Sequence, residues 1–305
     1  MFFAIFKDII KMKHKSLYIV TDIEGVAGVV FYEYRNKDMS MLNHELLHRN
    51  RVLLTEEVNA ATRGAFEAGA EKVIVHDNHG EGYNIMPELM DERIELIHGR
   101  AEQHFSMGMP HPDLDDCIDA VMLLGVHAKA GVINGCTPHS LFHTETDRGD
   151  IYDLSEAATS MSLAGDCGIP CIFIAGDKAA VEDAVLLNQS LKYVITKKHY
   201  ASQVARTISP VLSRNLIYLG VIDAMKNSDS KLFTIKRPCT IRIADRNPSA
   251  LWPLKPEKCN TFTEALNYTL RKVPWYKPID KIDDGWRYPD SMHQSPESEW
   301  NTNPQ

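Results

Sequence analysis

The chain has 305 residues with 33 basic against 41 acidic side chains, and this formal charge of −8 excludes a basic nucleic-acid binder as the default reading. Hydrophobic residues make up 44% and charged residues 24%, which excludes an intrinsically disordered chain and supplies the side chains for a sizeable core. No run reaches the roughly 18 uninterrupted apolar residues of a membrane-spanning helix, and the 6 cysteines form no CxxC pair, so the expected setting is soluble, reducing and cytoplasmic, away from membranes.

Residues 1–14 read as an N-terminal extension. Their apolar start has no basic leader, and it runs into Lys11, Lys13, His14 and Lys15 where a signal segment would carry small residues. A β-rich run at 16–21 (SLYIVT) follows, then apolar residues at helical spacing over 52–68 until Gly69 stops them. Strands are predicted at 72–76 (KVIVH), 94–97 (IELI) and 120–126 (AVMLLGV), a helix at 155–164, a strand at 171–175 (CIFIA) and a helix at 178–187. Near-continuous apolar strands alternating with amphipathic helices specify an α/β fold, a mostly parallel sheet covered by helices on both faces, over residues 15–190.

Residues 191–273 read as a smaller C-terminal α+β unit. It comprises a strand at 193–197, a helix at 201–212, a period-two stretch at 231–244 interrupted at Pro238, and a helix at 261–273. Residues 274–305 form a polar, partly disordered tail rich in Pro, Asp, Ser and Asn.

In an open parallel sheet, ligands bind outside the carboxyl ends of the strands, where successive loops converge. After the first strand come Asp22-Ile23-Glu24-Gly25, after the second Asp77-Asn78-His79-Gly80, and after the most apolar strand Gly125-Val126-His127-Ala128. A carboxylate at a strand end is commonly just a turn or cap residue, but here carboxylates and histidines are delivered together to one edge. His139 sits in a long loop after the His127 strand, and Glu156 opens a predicted helix, where a first-turn acid is also favoured by the helix dipole. Imidazole and carboxylate without thiolate suit a divalent metal such as zinc. Five such ligands exceed what one catalytic zinc with an open position takes, and fit two metals sharing a bridging carboxylate and water.

The segments Thr21-Asp22-Ile23-Glu24-Gly25, Thr55-Glu56-Glu57-Val58-Asn59, Asp77-Asn78-His79, Leu124-Gly125-Val126-His127-Ala128, Pro138-His139-Ser140 and Ala175-Gly176-Asp177 stand in the order seen in the DppA-type D-aminopeptidases, the M55 peptidase family. The chain resembles that family from about residue 15 to about residue 187, and more loosely to about residue 273. The resemblance implies an aminopeptidase with two zinc ions per subunit that releases an N-terminal D-amino acid from small peptides. It also implies a homodecamer of two stacked pentameric rings. By the same resemblance Asp22 matches the bridging carboxylate, Glu24, His79, His127 and Glu156 match the other metal ligands, and His139 matches a catalytic histidine that is not a ligand.

Some alternatives stay open at this level. His143, Glu145 or Asp147 in the polar stretch 141–153 could replace Glu156 as the fifth ligand, and Glu57 is conceivable as a partner for the substrate amine. His76 reads as a buried or hydrogen-bonded histidine, and His104 and His111 as residues of a surface loop. Other readings are an amidase on cell-wall peptide fragments without D-specificity, a phosphoesterase, for which Lys129 and Arg148 are the nearby cations, and a non-catalytic small-molecule-binding protein. A nucleotide-binding loop at Glu24 to Gly28 is disfavoured because its glycines fit neither GxGxxG nor GxxxxGK[ST].

Overall fold

The computed structural model describes residues 14–30, 41–80, 82–99 and 111–272. In chain order the elements are β1 (Ser16–Thr21), α1 (Met41–Glu67), β2 (Lys72–Asp77), β3 (Ile94–Ile97), β4 (Ala120–Val126), β5 (Leu141–Thr146) and β6 (Ile151–Leu154). There follow α2 (Glu156–Asp166), β7 (Cys171–Asp177), α3 (Lys178–Leu187), β8 (Lys192–Ala201), β9 (Val204–Thr207), α4 (Pro210–Asn227), β10 (Cys239–Ala244) and α5 (Phe262–Lys272).

Seven strands form one sheet in the order β3-β2-β1-β4-β7-β8-β9, parallel throughout except for the edge pair β8–β9. Alternate side chains of each strand face opposite sides. Leu17, Ile19, Val73, Val75, Met122 and Leu124 pack against α1 and α4 through Leu54, Val58, Ile217 and Val221. Tyr18, Val20, Ile74, Val121, Leu123 and Ile174 pack against α2 and α3 through Ala157, Met161, Ala180 and Val181. Both faces are therefore dry, which is why β4 and β7 are buried along their whole length. Among the described residues, no helix is long and apolar enough to cross a membrane.

The second sheet is antiparallel, β10-β5-β6. Its apolar side chains Phe142, Leu154, Ile241 and Ile243 meet α5 and the far side of α2 through Ala158, Leu163, Phe262 and Leu266. Helix α2 is thus sandwiched between two cores, and every residue from Ala157 to Gly165 is buried. Small side chains (EAATSMSLAGD) make that possible; a Cβ on Gly165 would lie 2.0 Å from the Phe233 carbonyl oxygen.

The two sheets do not divide at residue 190. Strands β8 and β9 complete the large sheet and α4 packs on α1, whereas β5 and β6, from the earlier half, pair with β10. Composition changes along the chain, but pairing is decided by which edges lie together in space.

The helix expected at 201–212 is replaced by the return of the chain as β9, and α4 starts at Pro210. Ser209 Oγ accepts from Leu212 N, and Pro at the first turn lacks only an N–H that has no helical partner there. The polar stretch 141–153, for which no element was expected, is the β5–β6 hairpin. The period-two stretch at 231–244 forms a strand only from Cys239. The expectations for residues 1–13, for His104 and for the tail 274–305 lie outside the described residues.

Candidate metal centre

Chain order runs β1 to β2 to β3 on one side of the large sheet, then jumps back across β1 to β4. The loops after β1 and β4 therefore leave in opposite directions at a switch point, where an open α/β sheet offers a cleft. Here the two loops are pressed backbone to backbone. Gly25 N donates to Gly125 O at 2.7 Å, and Asp22 N to Leu124 O at 2.8 Å. A Cβ on Gly25 would lie 2.1 Å from Val126 O, and one on Gly125, whose φ is +73°, 1.9 Å from Asp22 O. Only glycine fits either position. This contact brings Asp22 and Glu24 beside His127.

The loop after β2 is organised by Asp77. Its carboxylate accepts from Asn84 N at 2.6 Å, Ile85 N at 2.8 Å and Asn84 Nδ2 at 2.7 Å. Asn84 Nδ2 also donates to the His79 carbonyl at 2.6 Å. Asp77 is therefore consumed in holding the loop, and His79 is the side chain it presents. His79 Nδ1 lies 2.9 Å from Asp22 Oδ1 and 3.0 Å from Glu24 Oε2. One ring nitrogen carries at most one proton, so it can serve only one of these oxygens.

His127 and His139 share an anchor. His127 Nδ1 donates to the Ala128 carbonyl at 2.8 Å, and His139 N donates to the same oxygen at 3.1 Å. The two imidazoles stack, with centroids 3.7 Å apart and planes 10° from parallel. Because a carbonyl only accepts, Nδ1 of His127 holds the proton and Nε2 points its lone pair at Asp22 Oδ2, 3.3 Å away, and Glu156 Oε1, 3.4 Å away. His139 Nδ1 is fixed in the same way on the Thr137 carbonyl at 2.9 Å, which turns Nε2 toward Glu24 Oε1 at 3.7 Å. Glu156 arrives from the first turn of α2, whose start Ser155 sets by accepting from Ala158 N at 3.2 Å.

All six residues singled out by sequence are brought to one place. Their ligand atoms form two groups, Asp22 with Glu24 and His79, and Asp22 with His127 and Glu156, each within 4.8 Å and sharing Asp22; a third group joins Glu24, His127 and His139. The alternatives for the fifth position are occupied elsewhere: His143 bonds Asp153 and Glu145, Glu145 pairs with Arg242, and Asp147 pairs with Lys258. Glu57 is buried under the loop after β1, where it accepts from Ala27 N at 3.1 Å and Ser213 Oγ at 2.7 Å, so it is a loop support. His76 is buried as expected. His111, expected in a surface loop, is buried with it: its Nδ1 lies 3.1 Å from His76 Nδ1 and its Nε2 2.9 Å from Ser160 Oγ.

Electrostatics mark the centre as short of positive charge. Burial and the neighbouring Glu24 push the Asp22 carboxyl up. Burial opposes ionisation of Glu24 and Glu156 too, but His79 holds the first low and His127 the second. Burial also opposes charge on His127, yet Asp22 and Glu156 outweigh it and raise its pKa. His139 is pushed down by burial and by the charge of His127. Glu24 Oε2 and His127 Nε2 are buried without a hydrogen bond, which is costly unless a cation meets them. A donor set of carboxylate oxygens and imidazole nitrogens, with lone pairs left over, fits zinc or a similar divalent ion. Lys129, a candidate phosphate ligand, is engaged by Asp183 at 2.7 Å.

Sequence reasoning missed the supports of this centre. Lys197, buried in β8, donates from Nζ to the carbonyls of Glu24 and Val29, and Thr196 Oγ1 donates to Gly25 O at 2.5 Å. A lysine inside the apolar run YVITK was the available signal. Asn78 was noted only as a neighbour of His79, yet its side-chain oxygen is buried without a hydrogen-bond partner.

Comparison with known proteins agrees with this geometry. A D-aminopeptidase of Bacillus subtilis (strain 168) is 27% identical over 214 residues, spanning 70% of this chain and 75% of the relative. A solved structure, the Zn-dependent D-aminopeptidase DppA from Bacillus subtilis, a self-compartmentalizing protease, has the same fold with a TM-score of 0.70 and 24% identity, over 83% of this chain and 94% of that one. The M55 peptidase family model, described as D-aminopeptidase, matches residues 15–251. The chain accordingly belongs to the M55 peptidase family of D-aminopeptidases.

Proposed function

We propose that this aminopeptidase removes the N-terminal residue from short peptides, with preference for a D-residue, using two zinc ions per chain. The observation that carries the proposal is the sharing of Asp22 between two largely buried ligand groups, with no Arg or Lys ion pair to their carboxylates among the described residues. Asp22, Glu24 and His79 would hold one ion and Asp22, His127 and Glu156 the other. Bound there, zinc would polarise the scissile carbonyl and lower the pKa of a water held between the two positions.

The protein's own part is to orient and to move protons. The Ala128 carbonyl fixes the tautomer of His127, so that its Nε2 remains a lone-pair donor. His139 keeps Nδ1–H on the Thr137 carbonyl and handles protons at Nε2. Burial keeps that imidazole neutral, ready to take a proton and pass it to the leaving amine. The packed loops around Gly25 and Gly125 hold these groups before substrate arrives, so little reorganisation is left for the reaction itself.

Self-assembly belongs to the same proposal, as a decamer of two pentameric rings in the cytoplasm. It is supported by the self-compartmentalizing relative and by exposed apolar side chains along α4 and the β8–β9 edge, Val211, Leu212, Leu216, Leu219, Tyr200 and Val204. The test of function is release of free amino acid from paired D- and L-alanyl dipeptides, with N-acetylated dipeptides as control. Cleavage of the D-alanyl peptide alone, abolished by acetylation, is expected. Equal cleavage of both would replace D-specificity by the broader peptide-amidase reading.

A further inference from the structure

Asn78 lies between two residues whose work is accounted for, Asp77 in the loop and His79 at the centre. Its side chain is 5% exposed, and Oδ1 has no hydrogen-bond partner. Together with Asp22, His127, Glu156 and Ser160 it lines a small cavity at the carboxyl ends of β1 and β4. The side-chain donors that His127, Ser160 and Thr21 bring to that wall are already spent. His127 Nδ1–H is on the Ala128 carbonyl, Ser160 Oγ donates to the Glu156 carbonyl at 3.0 Å, and Thr21 Oγ1 donates to the His76 carbonyl at 3.1 Å. What is left around the cavity is lone pairs: two carboxylates, one imidazole nitrogen and one amide oxygen. A wall made of acceptors selects a cation.

We propose that Asn78 Oδ1 is a further oxygen donor to the cation held by Asp22, His127 and Glu156. The inference rests on the two-ion reading above and deepens it, because it makes the two positions unequal. The Asp22, Glu24 and His79 position has three protein donors, and the other has four. A neutral amide oxygen is a hard donor, so the four-donor position reaches a higher coordination number and accepts oxygen-seeking ions such as Mn²⁺ more readily than the other.

The test is a cobalt(II) titration of the full-length protein stripped of metal, followed by calorimetry and visible absorption, for wild type, Asn78→Ala and Asn78→Asp. Wild type is expected to take up two equivalents. In Asn78→Ala one of the two should weaken by about tenfold or more while the other is unchanged, and the absorption of the weakened one should intensify as its coordination falls toward four. Asn78→Asp, which keeps an oxygen in place, should restore the affinity. Two equivalents bound as in wild type with an unchanged spectrum in Asn78→Ala would overturn the proposal. So would equal weakening of both, which would mark a role in loop order instead. Fewer than two equivalents in wild type would overturn the two-ion reading itself, and this inference with it.

Discussion

Among the described residues two clusters of histidine and carboxylate differ in what surrounds them. On the small sheet His143 Nδ1 meets Asp153 at 2.7 Å, its Nε2 meets Glu145 at 2.9 Å, and Arg242 closes the group on Glu145 at 2.5 Å. The two carboxylates are 44% and 53% exposed, so water shares in their solvation. At the end of the large sheet Asp22, Glu24 and Glu156 meet His79 and His127, with side chains between 1% and 18% exposed, and among the described residues no Arg or Lys forms an ion pair with these carboxylates. Glu24 Oε2 and His127 Nε2 are left without hydrogen bonds. The residue types are the same. Burial combined with an excess of lone pairs separates a metal centre from a solvated ion network.

Substitutions in matching positions sharpen the contrast. Asp22→Asn removes the shared carboxylate, so both ions should dissociate and peptide hydrolysis should fall by about three orders of magnitude. The paired change Glu145→Gln, in the exposed cluster, should leave hydrolysis unchanged and shift stability by no more than about 0.5 kcal/mol. Steady-state kinetics and urea unfolding of the two variants check this; comparable losses in both would break the distinction.

A smaller effect is expected at His139, which stacks on His127 and turns Nε2 toward Glu24 Oε1 at 3.7 Å. His139→Ala should retain both metals and lose about two orders of magnitude in kcat. Metal content and kcat measured on one preparation decide it. Loss of metal would place His139 among the ligands.

The smallest effect concerns stability. Burial pushes the His76 imidazole down from 6.5 to about 4, and burial with the adjacent His76 lowers His111 as well. The unfolded chain binds a proton at His76 below about pH 6.5 and the folded one does not until about pH 4. Stability is therefore complete above pH 6.5 and is lost as pH falls through that window, by about 3 kcal/mol for His76 alone. Urea midpoints at pH 7.5 and 4.5 should show the loss, and His76→Asn should show less of it. An identical slope in the variant would contradict the neutral buried pair.

Much of this was legible in the sequence, for identifiable reasons. The expected bounds of β1, β3, β4 and α3 coincide with those observed; β1 and β4 are buried, near-continuous apolar runs, and α3 begins directly behind Asp177, its N-cap. Helix α1 begins at Met41, well before the expected start, since residues such as His44, His48 and Arg49 dilute the apolar period in its first turns. The six candidate residues could be picked out because Asp22, Glu24, His79 and His127 follow strand ends and Glu156 opens a helix, while His139 stands in the loop before β5. Glu156 is preferred over Glu145 on the family resemblance, and in the structure Glu145 is engaged instead by Arg242 across the β10–β5 pair. Burial of His111 and of Lys197 depends on contacts 35 and more than 160 residues away in sequence, to His76 and to the loop after β1, and no local pattern encodes those.

The central claim is that the buried lone pairs around Asp22 are there to hold two cations. The most direct measurement is zinc per chain, by plasma mass spectrometry, on untagged protein saturated with zinc and then dialysed against metal-free buffer. Two zinc ions per chain in wild type, and none in Asp22→Asn, is the predicted result. One or none in wild type would contradict the account.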